Sequence, residues 1–427
     1  VFGWPQETDD LEAFYPGHTM VTAPEILFFW VARMIMMGYE FQGEAPFTEV
    51  YLHGTVRDIK GRKMSKSLGN GIDPLRVVEE FGADAMRFTI VSQCAVGTDI
   101  SLDHEDVEAT FAAGRNFANK IWNAGRFALM SIGDGPVRTV DEVRDDLTLE
   151  DRWVLQCVAR AADEATSGLE RFRLHEAAEG LYHHFWGEIC DWYLELVKSR
   201  LAKDADPATR EAARATLVAV LDNAFRLLHP IVPFVTSELW ARLPWPEGLE
   251  RPEDLIVAPW PEGLDSWVDA EARDAFAAFQ ALIVETRRLR KEYGVGEGQR
   301  VAIHVTGGPD GFASSIAAQG AALDQLARVD RIETSAGEGV GATAVLPNGA
   351  ELFLPLEGVI DVARERERMQ AEIDKLEGLL KGVQARLANE QFVANAPEAV
   401  VAKARENQAQ LEEQSTKLRE KLAEFGG

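Results

Sequence analysis

Apolar runs alternate with helical patterns over the first hundred residues. "HTMVTA" (18–23) reads as a buried strand, residues 25–37 as one apolar helix, "TEVYLHGTV" (48–56) as a second strand and "PLRVVEEFGADAMRFTIVS" (74–92) as helical. That βαβα order predicts an α/β layer with a parallel sheet. From about residue 104 to 243 the pattern changes to long amphipathic helices with no strand signal, which predicts a helix bundle. Within it Leu181, Phe185, Ile189, Trp192 and Leu196 recur at spacings of three and four and form one apolar face, which places Trp192 in the core. Proline and glycine punctuate "LPWPEGLERPEDLIVAPWPEGL" (243–264), a linker or a loop wrapped on the bundle. Residues 265–358 give a helix up to Tyr293, a strand "RVAIHVTG", a Gly/Ala-rich helix and a strand pair whose Asn348-Gly349 suits a hairpin turn, so a small mixed α/β unit is expected.

The last segment is the most regular. Met369, Ile373, Leu376, Leu380, Val383 and Leu387 alternate steps of four and three, and the same step runs through Val401, Ala404, Gln408, Leu411, Ser415, Leu418, Leu422 and Phe425. Between the two heptad runs lies "NEQFVANAPEAV", whose Pro397 can start a helix but not continue one. An antiparallel coiled-coil hairpin follows, an arm about 45 Å long at 1.5 Å per residue. An oligomerising coiled coil is the other reading of the same heptads, and the proline break favours the intramolecular arm.

Composition narrows the class. The chain has 427 residues, 46% of them hydrophobic, more than one core normally serves, so several domains are expected. Its formal net charge of −26 argues against polyanion binding over the whole surface and confines any nucleic-acid contact to local basic patches. From Asp361 to Glu424 there are 11 Lys/Arg against 13 Asp/Glu, so the arm is nearly neutral and can approach a polyanion. Cys94, Cys157 and Cys190 are widely spaced and form no C-x-x-C, which points to a reducing cytoplasmic setting and no structural zinc. The longest apolar run, "ILFFWVARMIMMG", is interrupted by Arg33 and falls short of the roughly 20 residues of a membrane span, so no membrane partner is expected. The chain opens on Val1 and a Trp-Pro loop, and is expected to be a C-terminal piece of a longer protein.

One stretch contradicts the acidic balance. "DIKGRKMSKSLGNGIDP" (58–74) packs Lys60, Arg62, Lys63 and Lys66 into seven positions. A basic loop is usually a solvated face. Nucleotidyl transfer from ATP, however, builds negative charge on departing pyrophosphate, and a preorganised ammonium there stabilises the transition state more than the ground state. Lysine supplies a flexible point charge, and Ser65, Ser67 and Gly69 are small enough for the loop to close over phosphates.

The string "KMSKS" followed by "GN" and "DP" resembles the second signature of the class I aminoacyl-tRNA synthetases. The resemblance implies that Lys63, Met64, Ser65, Lys66 and Ser67 form the mobile loop that meets the ATP phosphates, with Lys66 the lysine most directly associated with ATP. "FFWVARMIMMG", "CDWYLEL", "HPIVPFVTSELW" and "FVANAPEAVV" follow the order and spacing of the bacterial valyl-tRNA synthetases, and the likeness covers essentially the whole chain. It implies a multidomain fold: 1–103, the C-terminal half of a Rossmann-like α/β catalytic domain; 104–264, an α-helical anticodon-binding bundle; 265–358, a small α/β unit; and 359–427, a coiled-coil arm that touches the outer corner of tRNA. The implied activity is ligation of valine to tRNA(Val), with ATP and Mg2+, by a monomeric cytoplasmic enzyme.

The same resemblance assigns further residues. Ile26 and Trp30, four apart, would line the valine pocket, although their pattern alone reads equally as core. Where the family commonly has Gly-Phe-Asp, with the Asp near the ATP ribose, this chain has Ala23-Pro24-Glu25, and Glu25 can still accept a hydroxyl hydrogen bond. His53 and Gly54 sit where a strand ends, the place where open α/β sheets bind ligands, and a structural histidine fits that position as well. In the bundle, Lys198 and Arg200 are the candidate RNA contacts, and His183-His184 read as surface histidines without a third metal ligand. No two of the eight histidines stand three positions apart, so the H-I-G-H signature is absent, and nothing resembles the family's editing domain; the chain alone is expected to be inactive. A noncatalytic tRNA-binding module and the isoleucyl paralogue are the alternatives.

Overall fold

Helix α1 (Asp9–Phe14) starts where Thr8 Oγ1 accepts the Leu11 amide at 3.2 Å, and leads to strand β1 (Gly17–Thr22). The computed structural model describes residues 2–359, 362–388 and 398–424; the side chain of Lys66, the "FVANAP" segment with Pro397, and Phe425 lie outside the described residues. The chain divides into two units, Val1–Ala272 and Arg273–Gly427.

In the first unit β1 pairs in parallel with β2 (Phe47–Leu52), Gly17 opposite Phe47 and Thr22 opposite Leu52. Parallel neighbours require a crossover, here α2 (Ala32–Phe41) and the turns before it. A second parallel pair, β3 (Val56–Asp58) with β4 (Ile100–Leu102), is joined through α3 (Pro74–Phe81) and α4 (Ala83–Ser92). Helix α3 is set by Asp73 Oδ1, which accepts the Leu75 amide at 3.0 Å, and by Pro74 at its first position; Gly82, at φ 93°, ends it and re-aims the chain into α4.

Two expectations change here. The single apolar helix over 25–37 is a 3-10 turn (Pro24–Ile26), then a π turn (Leu27–Val31), then α2. The segment "HTMVTA" is also not buried: only Thr22 is, and Val21 is 58% exposed. Among the described residues β1 and β2 pair only with each other, so the apolar side chains of this layer lack the second cover that parallel sheets normally have.

The bundle consists of α5 (Val107–Ile132), α6 (Leu149–Glu170), α7 (Leu174–His183) continuing through a π segment (His184–Tyr193) into α8 (Leu194–Val197), then α9 (Pro207–Leu228) and α10 (Pro233–Trp240). Helix α4 belongs to both layers, since the Phe88 ring packs 4.7 Å from Phe117 of α5 and 5.9 Å from Tyr182 of α7. The π segment corrects two readings. A π turn holds more residues than an α turn, so each residue advances a smaller angle round the axis than a 3.6-residue repeat assumes. Tyr193 therefore takes the fully buried place assigned to Trp192, which is half-buried, and His184 is buried with its Nδ1 2.7 Å from Glu188 Oε2 while only His183 is exposed. Residues 243–264 wrap on the bundle: Leu255 is buried, and Trp260 Nε1 donates to Thr166 Oγ1 at 2.8 Å.

Helix α11 (Ala270–Glu292) leads into the second unit, where β5 (Val301–Gly307), α12 (Phe312–Ala318), α13 (Gly320–Ala327), β6 (Val329–Glu333), β7 (Gly341–Val345) and β8 (Ala350–Pro355) follow. The sheet order is β6-β5-β8-β7, with β5 and β6 parallel and the other pairs antiparallel. Gly349, at φ 81°, closes the β7–β8 turn, and the Ala350 amide donates to Asn348 Oδ1 at 3.1 Å. Helices α14 (Val362–Ala388) and α15 (Glu398–Glu424) run antiparallel, as the pairs Glu377–Arg419 (2.7 Å) and Gln384–Glu412 (3.4 Å) show. Met369, Ile373, Val401 and Ser415 are buried.

Candidate active site

The cationic stretch begins as a tight hairpin. The Asp58 amide donates to Arg62 O at 2.9 Å, the Gly61 amide to Asp58 O at 2.8 Å and the Met64 amide to Val56 O at 3.2 Å. Gly61 makes the turn possible at φ 75°. The Asp58 side chain has no exposed surface. Its Oδ1 accepts the amides of Lys60 (3.0 Å) and Arg62 (2.9 Å), and its Oδ2 accepts Arg62 Nε (2.8 Å) and Asn70 Nδ2 (3.0 Å). The Asn70 hydrogen bond, with those from Arg62, holds the Asp58 carboxyl well below the usual carboxylate range despite burial.

Beyond the hairpin, Met64 turns inward with Val56 and Ile72 onto the buried Val77, Ile100, Leu102 and Phe111. An apolar cavity of about 440 Å³ lies there, and Met64 and Ser65 form part of its wall. Ser65 Oγ lies 3.2 Å from Ser67 Oγ and accepts the Leu68 amide at 3.3 Å, which shapes the 3-10 turn Lys66–Leu68. Among the described side chains of the knot, Arg62 meets the carboxylate of Asp58 (2.7 Å), Lys60 that of Glu105 (3.6 Å) and Lys63 that of Glu25 (2.5 Å). Lys63 draws the Glu25 carboxyl below its ordinary value through that hydrogen bond. The local field of the knot is therefore largely neutralised by partners that a phosphate could displace where they are exposed.

Glu25 brings the turn after β1 to the loop after β3. Between them, at the carboxyl end of β2, the His53 amide donates to Thr22 O at 3.1 Å, and its Nδ1 lies 2.9 Å from Gly54 O. Gly54 is there for space: a Cβ would stand 1.9 Å from Thr98 O. Asp99 secures the same strand ends, accepting the Thr55 amide at 2.8 Å and pairing with Arg57. Ile26 closes the 3-10 turn and Trp30 lies in the π turn, so the simple 3.6-residue face that paired them does not hold; both side chains are exposed, Trp30 by 56%. Glu25, His53, Gly54 and the Lys63–Ser67 loop thus gather at the carboxyl ends of parallel strands, where ligands bind in open α/β sheets. Sequence reading missed Asp58, Asn70 and Asp99. The signal for the first two is present, an Asp opening the basic run and the Asn of "GN" closing it.

In the bundle, Lys198 is exposed and bonds Glu195 at 2.6 Å. Arg200 is buried, which corrects its assignment to RNA: its guanidinium clasps Asp151 through two bonds of 2.8 and 2.6 Å and reaches Thr148 Oγ1 at 2.9 Å. Among the described residues no three His, Cys, Asp or Glu side chains gather as a metal-binding set, and no helix is long and apolar enough to cross a membrane.

Comparison with known proteins identifies the family. Residues 1–103 match the family described as tRNA synthetases class I (I, L, M and V), residues 151–305 the anticodon-binding domain of tRNA ligase, and residues 361–426 the valyl tRNA synthetase tRNA binding arm. The chain is 40% identical over 410 residues to a valine–tRNA ligase of Dehalococcoides mccartyi, covering 94% of this chain and 45% of that protein. It is 39% identical over 424 residues to that of Fervidobacterium nodosum, covering 99% and 46%. The chain thus spans about half the length of the curated relatives it matches. Similar along nearly all of its own length to these ligases, and matching their tRNA-binding arm, the chain belongs to the valine–tRNA ligase family of class I synthetases.

Proposed function

We propose that this chain serves ATP-dependent activation of valine to valyl-adenylate and its transfer to tRNA(Val) in translation. The observation that carries the reading is the hairpin-braced loop Lys63–Ser67, presented beside Glu25, His53 and Gly54 at the carboxyl ends of parallel strands. Lys63 exchanges the Glu25 carboxylate for a phosphate oxygen of ATP, and Lys66 neutralises charge on the leaving pyrophosphate. Ser65 and Ser67 support the loop, and Met64 anchors it on the apolar core. Glu25, once released, accepts a ribose hydroxyl, and Mg2+ arrives with the triphosphate as part of the substrate. Ile26 and Trp30 shape an apolar pocket for the valine side chain; their exposure and the π turn support this, since π turns concentrate at functional sites.

In the same reading, residues 1–103 carry part of the catalytic Rossmann-like domain, 104–264 receive the anticodon, 265–358 form a small α/β unit, and 359–427 make a coiled-coil arm against the tRNA corner. Lys198 remains the bundle residue proposed to touch RNA. Discrimination against threonine would require editing, because an apolar pocket separates valine weakly from an isostere that adds a hydroxyl; no residue here is assigned to that step. A monomeric, cytoplasmic enzyme completes the proposal.

The test is amino-acid-dependent ATP–pyrophosphate exchange by the full-length gene product with valine, isoleucine and threonine, with Lys66→Ala as control. Strong exchange with valine that collapses in the variant supports the reading. Tight tRNA binding without exchange for any amino acid replaces it with a noncatalytic tRNA-binding module.

A further inference from the structure

Two buried polar side chains bracket the Lys63–Ser67 loop. Asp58, with no exposed surface, opens the segment, and Asn70, 1% exposed, closes it. They bond each other at 3.0 Å, so the two ends of a thirteen-residue stretch meet side chain to side chain. Asp58 takes its remaining hydrogen bonds from Lys60 and Arg62. Asn70 accepts the Ser65 amide on Oδ1 at 2.9 Å, and its Nδ2 reaches Lys63 O at 3.4 Å. The pair therefore fixes the backbone at 58, 60, 62, 63 and 65. The turn Lys66–Leu68 that follows has the Leu68 amide donating to the Ser65 hydroxyl at 3.3 Å, and Gly69 lies beyond it at φ 65°.

We propose that Asp58 and Asn70 are the positioning pair of this loop, holding its inner limb (58–65) so that Lys63 is presented to the triphosphate. The inference rests on the reading that the loop binds ATP, and it adds which residues set the loop's geometry. Neither side chain reaches the substrate; both act through the backbone they hold. A purely stabilising role fits less well, because Met64, Val56 and Ile72 already dock the loop on the apolar core and would keep it attached without Asn70. What Asn70 adds is direction, and displacement of a reacting group by about 1 Å can cost about a hundredfold in rate.

The experiment is exchange kinetics on the full-length protein with Asn70→Ala, Asn70→Asp and Asp58→Asn, together with hydrogen exchange of the Ser65 amide and the thermal midpoint. Asn70→Ala is expected to raise the ATP KM about tenfold and lower kcat by about tenfold to a hundredfold, with the valine KM unchanged and the Ser65 amide exposed to exchange. In Asn70→Asp two carboxyl groups face each other at hydrogen-bond distance and cannot both ionise. Its deficit should therefore shrink as pH falls and a shared proton restores a bond. Asp58→Asn, which keeps the shape and loses the charge, is expected to fall between wild type and Asn70→Ala.

Wild-type ATP KM and kcat in Asn70→Ala would overturn the proposal, as would equal rises in the ATP and valine KM with a lowered midpoint. Absence of valine-dependent exchange in the wild type would remove the ATP reading instead. The positioning pair would then be judged by the Ser65 amide alone: lost protection in Asn70→Ala supports it, and retained protection overturns it.

Discussion

Lys63 Nζ lies 2.5 Å from Glu25 Oε1, so the Lys63–Ser67 loop rests against the turn that follows β1. Both partners are largely solvent-exposed, which makes the pair weak, screened by salt and open to exchange for phosphate. Under the proposed reading, Glu25→Ala removes an acceptor for the ATP ribose together with the lysine partner and is expected to raise the ATP KM about tenfold. Glu25→Gln keeps an acceptor oxygen while removing the charge that holds Lys63, and should stay within about threefold of wild type. Exchange kinetics at low and high salt check both; a Gln variant as impaired as the Ala variant would show that the charge itself, and not the acceptor, is what ATP needs.

Arg200 and Lys198 stand two positions apart and make opposite predictions. The Asp151 carboxylate receives the Arg200 guanidinium and the Tyr193 hydroxyl (2.7 Å) with no exposed surface of its own. Arg200→Ala strands that charge and is expected to cost about 3–5 kcal/mol in denaturant unfolding. Lys198→Ala should stay within about 0.5 kcal/mol. If Lys198 meets a phosphate, its loss also makes the dependence of log tRNA affinity on log salt shallower by about one.

Strand and hairpin positions were legible where local chemistry was strong: β1 as a β-branched run, the β7–β8 turn from Asn348-Gly349, and helix periodicity in the last segment; the single strand expected over 48–56 is instead divided by residues 53–55 into β2 and the start of β3. Strand β4 escaped notice because three residues, Ile100–Leu102, cannot display a period. The π segment at His184–Tyr193 misled the reading of Trp192 because spacing arguments assume 3.6 residues per turn. For the site, the basic string located the loop, and its braces stayed hidden. Asp58 beside three cations reads as one more solvated charge until the fold shows it buried, and Arg200 reads as a surface cation until Asp151, far off in sequence, arrives beside it.

Gly54 tests how tightly the strand ends are set. A methyl there would stand 1.9 Å from Thr98 O and 2.9 Å from Thr98 C, both backbone atoms that cannot swing aside. Gly54→Ala is therefore expected to push apart the His53–Gly54 and Thr98–Asp99 segments at a cost of about 1–3 kcal/mol or more. Thermal denaturation checks the direction, and an unchanged midpoint would show that the two segments separate freely.

The joint between the α/β layer and the bundle makes a prediction about pH. Asp84 of α4 accepts the Phe234 amide at 3.2 Å and the Val235 amide at 2.7 Å, and so satisfies donors at the start of α10. Arg87, one turn on, donates to Pro230 O at 2.8 Å and Ile231 O at 3.0 Å. Desolvation raises the Asp84 carboxyl above its ordinary value, although the two amides, Arg87 and His229 pull it the other way. A carboxyl raised in the folded state contributes stability that is present below its unfolded pKa and lost as pH rises through the folded one. Asp84→Asn removes that titration and sets an amide N–H against the two backbone donors, at a cost of about 1–3 kcal/mol. The deficit of the variant should thus be larger near pH 4 than near pH 7, with His229 titrating in both proteins. Urea unfolding of the two proteins across that range decides it: a deficit that grows with pH would mean that Asp84 acts as an ordinary ionised helix cap whose carboxylate is favoured by the fold.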